Sequence, residues 1–397
     1  MNKDAISCQI NDLTEIVNPS LFAFANVKIA NNVGKFHRSL PNYTPTPLVK
    51  LSRLASRLGI KELLIKDESH RFDLNAFKVL GASYAIAKYL GEILELKDDE
   101  LTFGKILAKQ SRYKNITFVT ATDGNHGRAV AWSTRLFGCK SVVYMPKGSS
   151  PTRLEAIKNY GTEASITTLN YDDTVIHAKH KAREEGWILL QDTSWEGYEK
   201  VPLHIMQGYC TLVSEYLNQE QEIWPTHVFI QAGVGSLAAA ILAYLHNLSD
   251  RPTPKFIVVE PQGAPCLYES IRLNVDKPFR VRGDLPTIMA GLACGEPSHI
   301  GWSILKSATN AFLMCSDDVT RRGVKVLGNP LGGDQRIISG ESGAVTLGAL
   351  FEIMSNEQFY KIRDVLNLTG NSRVLLFSTE GDTDPAVYRN IVWLSNT

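Results

Sequence analysis

Short runs of β-branched and apolar residues alternate with longer segments of helical period along most of this chain. That alternation narrows its folding options more than any other feature. ITFVTAT (116–122), SVVYMP (141–146), ASITTL (164–169) and ILLQD (188–192) read as four strands, with helices predicted over 126–137, 152–160 and 172–185 between them. A second series follows: THVFIQ (226–231), a helix over 237–245, KFIVVE (255–260) and the buried-type run RVLLFS (373–378). Upstream, KELLIKDES (61–69) reads as a strand and 76–94 as a long helix. Strand–helix alternation of this kind belongs to α/β proteins, because parallel strands need crossover helices. The expectation is two domains, each a mainly parallel twisted sheet flanked by helices. Residues 88–205 form the smaller, inserted one, and 1–87 plus 206–397 the larger. The charged stretch 97–114 has no clear period and is expected to be a surface insertion.

Charge and cysteine usage exclude several function classes. Lys and Arg number 42 and Asp and Glu 41, so the net charge of +1 gives no field that would draw the chain onto nucleic acid or an anionic membrane. The six cysteines are scattered without a C-x-x-C pair, which fits a reducing compartment and offers no zinc or redox signature. His177 and His180 have no evident third ligand, so no metal is expected. Acidic residues Asp4, Asp12 and Glu15 stand where a secretion signal needs an apolar core, and the apolar run 237–245 is too short for a membrane span. A cytoplasmic protein is expected.

Three strand-to-helix turns carry unusual residues at the place where α/β proteins seat ligands. In Thr122-Asp123-Gly124-Asn125-His126-Gly127, Asn125 and the helix-start amides offer donors to an anion, although an ordinary Asp-Gly turn has the same look. Gln231-Ala232-Gly233-Val234-Gly235-Ser236 suits a phosphate cradle, and its G-x-G-x-x-A spacing with Glu260 ending the next strand also suits a dinucleotide. Ser378-Thr379-Glu380-Gly381-Asp382 places a hydroxyl pair at a strand end, to meet a heterocycle or to cap the next helix. Before all three, Asn75-Ala76-Phe77-Lys78 opens a helix. Its lysine is either a solvated charge or an amine able to form a Schiff base with a carbonyl ligand.

Taken together these segments resemble the tryptophan synthase β-like family of pyridoxal phosphate enzymes, fold type II. Asn75-Ala76-Phe77-Lys78 is similar to the family's Ser-Phe-Lys motif with Ala76 in place of Ser, and Thr122 to Gly127 to its Ser-Ser-Gly-Asn-His-Ala loop. Gly233-Val234-Gly235-Ser236 is similar to its phosphate loop, Ser378 to the hydroxyl that meets the pyridine nitrogen, and Glu341-Ser342-Gly343-Ala344 to a segment on the cofactor's side. The matches run in family order from Lys61 to Asp384, whereas the dinucleotide reading explains one segment only. Within the family the resemblance is closest to its diaminopropionate-cleaving branch. It is carried by residues 71–78, 121–128, Gln191-Asp192-Thr193-Ser194-Trp195-Glu196-Gly197-Tyr198, and 289–296.

The resemblance implies pyridoxal 5'-phosphate held by Lys78, Asn125, Gly233, Val234, Gly235, Ser236 and Ser378 or Thr379. It implies a small amino-acid substrate met by Thr122, Asp123, Gly124, Asn125, His126 and Asp192, and a homodimer. The activity implied is α,β-elimination of 2,3-diaminopropionate, L and D, to pyruvate and two ammonia, with Lys78 and Asp123 as catalytic groups. Asp123 stands where the broader dehydratases carry serine. It is read as a base acting on the face opposite Lys78, or as the group that binds the β-ammonium. Asp192 is a second acid that either recognises this ammonium or only bonds its own loop. Trp195 and Tyr198 are expected to wall the cleft. Competing readings are a serine or threonine dehydratase on the same fold and a non-catalytic amino-acid-binding regulator.

Overall fold

The computed structural model describes residues 5–13, 18–122, 124–248 and 250–394. Eleven strands lie in the described residues, and they form two sheets. β1 (Ile6–Ile10), β2 (Leu48–Lys50), β3 (Glu62–Asp67), β8 (His227–Gln231), β9 (Lys255–Pro261), β10 (Ala311–Cys315) and β11 (Arg373–Ser378) make the seven-stranded sheet, in the order β1-β10-β9-β8-β11-β3-β2. β4 (Thr117–Ala121), β5 (Lys140–Met145), β6 (Glu163–Ile166) and β7 (Ile188–Leu189) make the four-stranded one, in the order β6-β5-β4-β7. Pairing is parallel throughout except for the two edge strands of the larger sheet: β1 runs antiparallel to β10 and β2 antiparallel to β3. This is the expected α/β arrangement.

The inner strands of the large sheet show why it is buried on both faces. Val228, Ile230, Phe256, Val258, Leu375 and Phe377 belong to one apolar cluster, while Phe229, Ile257, Val259, Val374 and Leu376 belong to another. Successive residues point to opposite faces, so a continuous apolar run serves two cores at once. Register puts Leu375 beside Leu64 and Val228, with Leu376 beside Ile65 and Phe229. After β8 the chain turns directly into the helix Ser236–His246, in which every residue from Ser236 to Leu245 is buried. Such a helix needs cover on all sides. The cluster on that face also takes in Phe118, Ala129, Val130 and Phe137 from the small-sheet region, so one core runs between the sheets.

Several elements depart from the sequence expectation. The stretch 97–114 is not a loose insertion: it holds the short helix Phe103–Leu107, and Leu101, Ile106 and Tyr113 are buried in the main core. Helical pieces of three to five residues are too brief to show a period. β1 and β10 were not expected, nor were the helices Lys200–Gln219, Asp317–Gly328 and Glu341–Ser355. Of 188–192 only Ile188 and Leu189 pair as strand. Among the described residues no helix is long and apolar enough to cross a membrane.

A buried charge network holds the turn that follows β3. The Arg71 guanidinium is 1% exposed and donates to both oxygens of Glu68 (2.8 and 2.9 Å) and of Glu215 (2.7 and 2.8 Å). Lys66 adds an ion pair to Glu215 at 2.7 Å. Burial would raise the Glu215 carboxyl, but hydrogen bonds and charge from Arg71, then Lys66, hold it down at about 2. Two cations and two anions thus neutralise one another out of water, pinning residues 66–71 to the helix Lys200–Gln219. The following turn carries Phe72, Asp73 and Asn75 in the left-handed region (φ 50°, 57° and 52°), a strained backbone that needs such an anchor. Arg71→Ala is therefore expected to cost about 3–5 kcal/mol, because it strands buried carboxylates. Urea unfolding checks this: a change below about 1 kcal/mol would mean that the carboxylates find other partners.

Candidate active site

Loops leaving β3, β4, β7, β8 and β11 converge on one pocket, joined by the segment Ala290–Cys294 from a long irregular connection. Lys78 enters as the first residue of the helix Lys78–Ile93. Its approach is set by the strand end opposite: Phe77 N donates to Thr379 O at 3.1 Å, and Gly381 N to Asn75 O at 2.8 Å. The amine reaches into the pocket and pairs with Asp192 Oδ2.

Asp192 ties the site together. Burial would raise its carboxyl, but His126 and Lys78 outweigh that and hold it at about 2, so it is an anion at any working pH. Its carbonyl accepts from Ser236 Oγ at 2.8 Å, linking it to the turn after β8. His126 is 2% exposed. Its Nε2 donates to the Leu190 carbonyl at 2.8 Å, and its Nδ1 lies 3.9 Å from Asp192 Oδ2. Burial lowers the imidazole's pKa while the Asp192 charge acts to raise it, and the ring lines the pocket.

The glycine turn suits an anion. Gly233, Val234, Gly235 and Ser236 line the pocket and lead into the N-terminus of the helix Ser236–His246, whose first amides have no partner within the helix. A β-carbon at Gly233 would lie 3.0 Å from Cys294 Sγ and 3.2 Å from Leu292 Cα, and Gly235 holds φ 90°, so side chains there would fill or strain the cradle. Cys266 and Cys294 both lie close to this turn and are not joined in a disulfide.

At the opposite end, Thr379 lines the pocket while Ser378 does not: the Ser378 hydroxyl donates to Ser339 Oγ at 2.9 Å, on the far side of β11. Thr379 Oγ1 accepts from Gln231 Nε2 at 2.7 Å, which leaves its own proton to donate elsewhere. Gln231 is a residue whose role the sequence did not reveal, because a strand-end glutamine carries no motif.

The turn after β4 is shaped by Thr122, whose Oγ1 accepts from Gly124 N (2.9 Å) and Gly127 N (3.0 Å). Thr122, Asn125 and His126 line the pocket, and Gly124 holds the turn at φ 151°. Asp123 lies outside the described residues. Trp195 and Tyr198 stack on each other at 4.4 Å, and neither borders the lysine pocket. Trp195 walls a neighbouring hollow with Lys179, whose Nζ lies 4.9 Å from its ring, and Tyr198 donates to Leu189 O at 2.9 Å. His177 packs edge-on against Tyr144 at 4.7 Å. Glu380, also missed as a site residue, lines the pocket beside Asn125.

An amine, an anion cradle across from it and a neutral hydroxyl donor suit a carbonyl-bearing aromatic phosphate. The family comparison agrees. Residues 40–370 match the model of the pyridoxal-phosphate-dependent enzymes. A diaminopropionate ammonia-lyase of Salmonella typhimurium is 47% identical over 374 residues, which is 93% of each chain. The solved diaminopropionate ammonia-lyase of Escherichia coli in complex with an aminoacrylate-PLP azomethine reaction intermediate superposes with a TM-score of 0.89 at 44% identity, covering 98% of this chain and 97% of that one. The same Escherichia coli enzyme in complex with D-serine gives 0.87, also at 44% identity, with 98% and 97% covered. This chain belongs to the pyridoxal-phosphate-dependent enzyme family and, within it, to the diaminopropionate ammonia-lyases.

Proposed function

We propose that this protein converts 2,3-diaminopropionate and water to pyruvate and two ammonia, accepting both the L and D forms, with pyridoxal 5'-phosphate as cofactor. The observation that carries this reading is the Lys78 amine paired with an anionic Asp192 inside the pocket that the glycine turn closes. Bound pyridoxal phosphate supplies an electron-withdrawing ring that makes the substrate Cα–H acidic. Lys78 would hold the cofactor, Gly233 to Ser236 would hold its phosphate, and Asn125 would border its ring. Thr379, or Ser378 after a side-chain rearrangement, would donate to the ring nitrogen. A hydroxyl is a neutral partner and does not hold that nitrogen protonated, which suits elimination. Thr122, Gly124, Asn125 and His126 would receive the substrate carboxylate.

The Lys78 amine would serve as the base that takes the substrate α-proton. Asp192 would keep the β-amino group protonated, so that the C–N bond breaks with its electron pair and neutral ammonia departs. Asp123 would act from the other face on the D form, or share the β-ammonium with Asp192. A carboxylate where dehydratases carry serine supports diaminopropionate over serine or threonine, whose leaving groups are neutral hydroxyls. The D-serine complex of the Escherichia coli relative supports a site open to D substrates. We further propose a cytoplasmic homodimer serving amino-acid catabolism, with residues 88–205 as its smaller domain.

The purified protein should release pyruvate and ammonia in a one-to-two ratio from each enantiomer of diaminopropionate. Turnover of serine or threonine at equal or greater kcat/KM would assign it to the dehydratases instead. Lys78→Ala should lower kcat on both enantiomers by roughly 10³-fold or more, since it removes both the cofactor anchor and the base. Residual activity above about a tenth of the parent would remove that assignment. Asp123→Asn should abolish D turnover while sparing part of the L turnover. Equal residual rates on the two would end the two-base scheme.

A further inference from the structure

Glu380 is a buried carboxylate (2% exposed) that stands between the two halves of the site. Its Oε2 accepts from Asn125 Nδ2 at 2.5 Å, and its Oε1 accepts from Ser342 N at 2.9 Å, at the start of the helix Glu341–Ser355. Its backbone makes a bridge with Ala76, two residues before Lys78, and its carbonyl accepts from Gly340 N at 2.9 Å. The surroundings are cut to admit it: a β-carbon at Gly340 would lie 3.0 Å from Glu380 Cγ and 2.4 Å from the Gly381 carbonyl.

From this geometry we infer that Glu380 is a positioning residue. Its charged carboxylate fixes the orientation of the Asn125 amide, and so governs how tightly the pocket holds pyridoxal phosphate. The inference rests on the cofactor reading above. A carboxylate only accepts, so the Asn125 edge facing it must be the NH2 group, and the remainder of the amide is presented to the pocket that Asn125 lines. Two donors converge on two oxygens, so a neutral glutamine can satisfy only one of them. Its own NH2 would face either Ser342 N–H or the Asn125 amide, and the amide would be free to turn.

The test is a double-mutant cycle read on cofactor affinity, by titrating apoprotein with pyridoxal phosphate, with thermal melting of each variant as a folding control. Glu380→Gln should weaken cofactor binding by roughly ten- to hundred-fold, the value of one charge-assisted hydrogen bond. In an Asn125→Ala background the same substitution should change affinity by less than about three-fold, because the group through which Glu380 acts is gone. KM for diaminopropionate at saturating cofactor should move less than the cofactor affinity does. Independent, additive losses would make Glu380 merely structural and overturn the inference, as would parental affinity in Glu380→Gln. If Glu380→Gln does not fold, Glu380→Asp, which keeps the charge on a shorter arm, enters the same cycle with the same two outcomes. The parent protein separates this inference from the functional reading: failure of the parent to bind cofactor or release pyruvate overturns that reading, whereas binding with additive losses overturns only the role of Glu380.

Discussion

The ion pair between Lys78 and Asp192 is the contact on which the arrangement of the site depends. An amine that is to meet a carbonyl has to be withdrawn from bulk water, and a buried cation without a partner is costly enough to lose its proton or drag the helix out. Asp192 offsets that cost and does more. Its carbonyl takes the Ser236 hydroxyl of the glycine turn, and its carboxylate lies beside His126 of the turn after β4. One residue just past the small sheet's edge strand β7 therefore registers the lysine, the glycine turn and the turn after β4 against one another. The approach of Lys78 is set independently by the backbone bonds between residues 75–77 and 379–381.

Charge inside the protein is used for position at the expense of stability. Replacing a buried ionic set with apolar residues of the same volume is often neutral or stabilising, so the Lys66–Glu68–Arg71–Glu215 network is weak evidence of a stability gain. Its directional bonds instead hold a backbone turn with three residues at positive φ immediately ahead of Lys78. A purely apolar core would allow that turn to relax. Glu341 shows the same economy near the cleft, where burial, then the neighbouring Glu380, pushes its carboxyl up to about 7.

Much of the scaffold was legible because its signals are local. The runs at 226–231, 255–260 and 373–378 are continuous and apolar, and each became an inner strand feeding two cores. Elements without a period escaped. The helix Lys200–Gln219 is buried on most of its circumference, with Ile205, Met206, Tyr209, Cys210, Leu212 and Val213 all inside, so no polar face marks it out. β10 is a five-residue apolar run, and such a run does not distinguish strand from buried helix. The hydroxyl pair at the end of β11 was ambiguous for a related reason. Strand alternation says that Ser378 and Thr379 point to opposite sides without saying which side holds the pocket. Thr379 borders it, while Ser378 bonds Ser339 on the other side.

By itself the sequence determined the kinds of turn, the strand–helix order and the chemical groups available at each strand end. Glycine, lysine and hydroxyl residues declare their capacities within a few positions of chain. Only the tertiary structure decided which groups meet. Lys78 and Asp192 are 114 residues apart and Asn125 and Glu380 are 255 apart. Their contacts exist because two sheets close on a shared core and bring separate strand ends to one place. No local pattern encodes that distance, since the free energy that sets it comes from burying the core between the sheets, remote from the residues that end up touching.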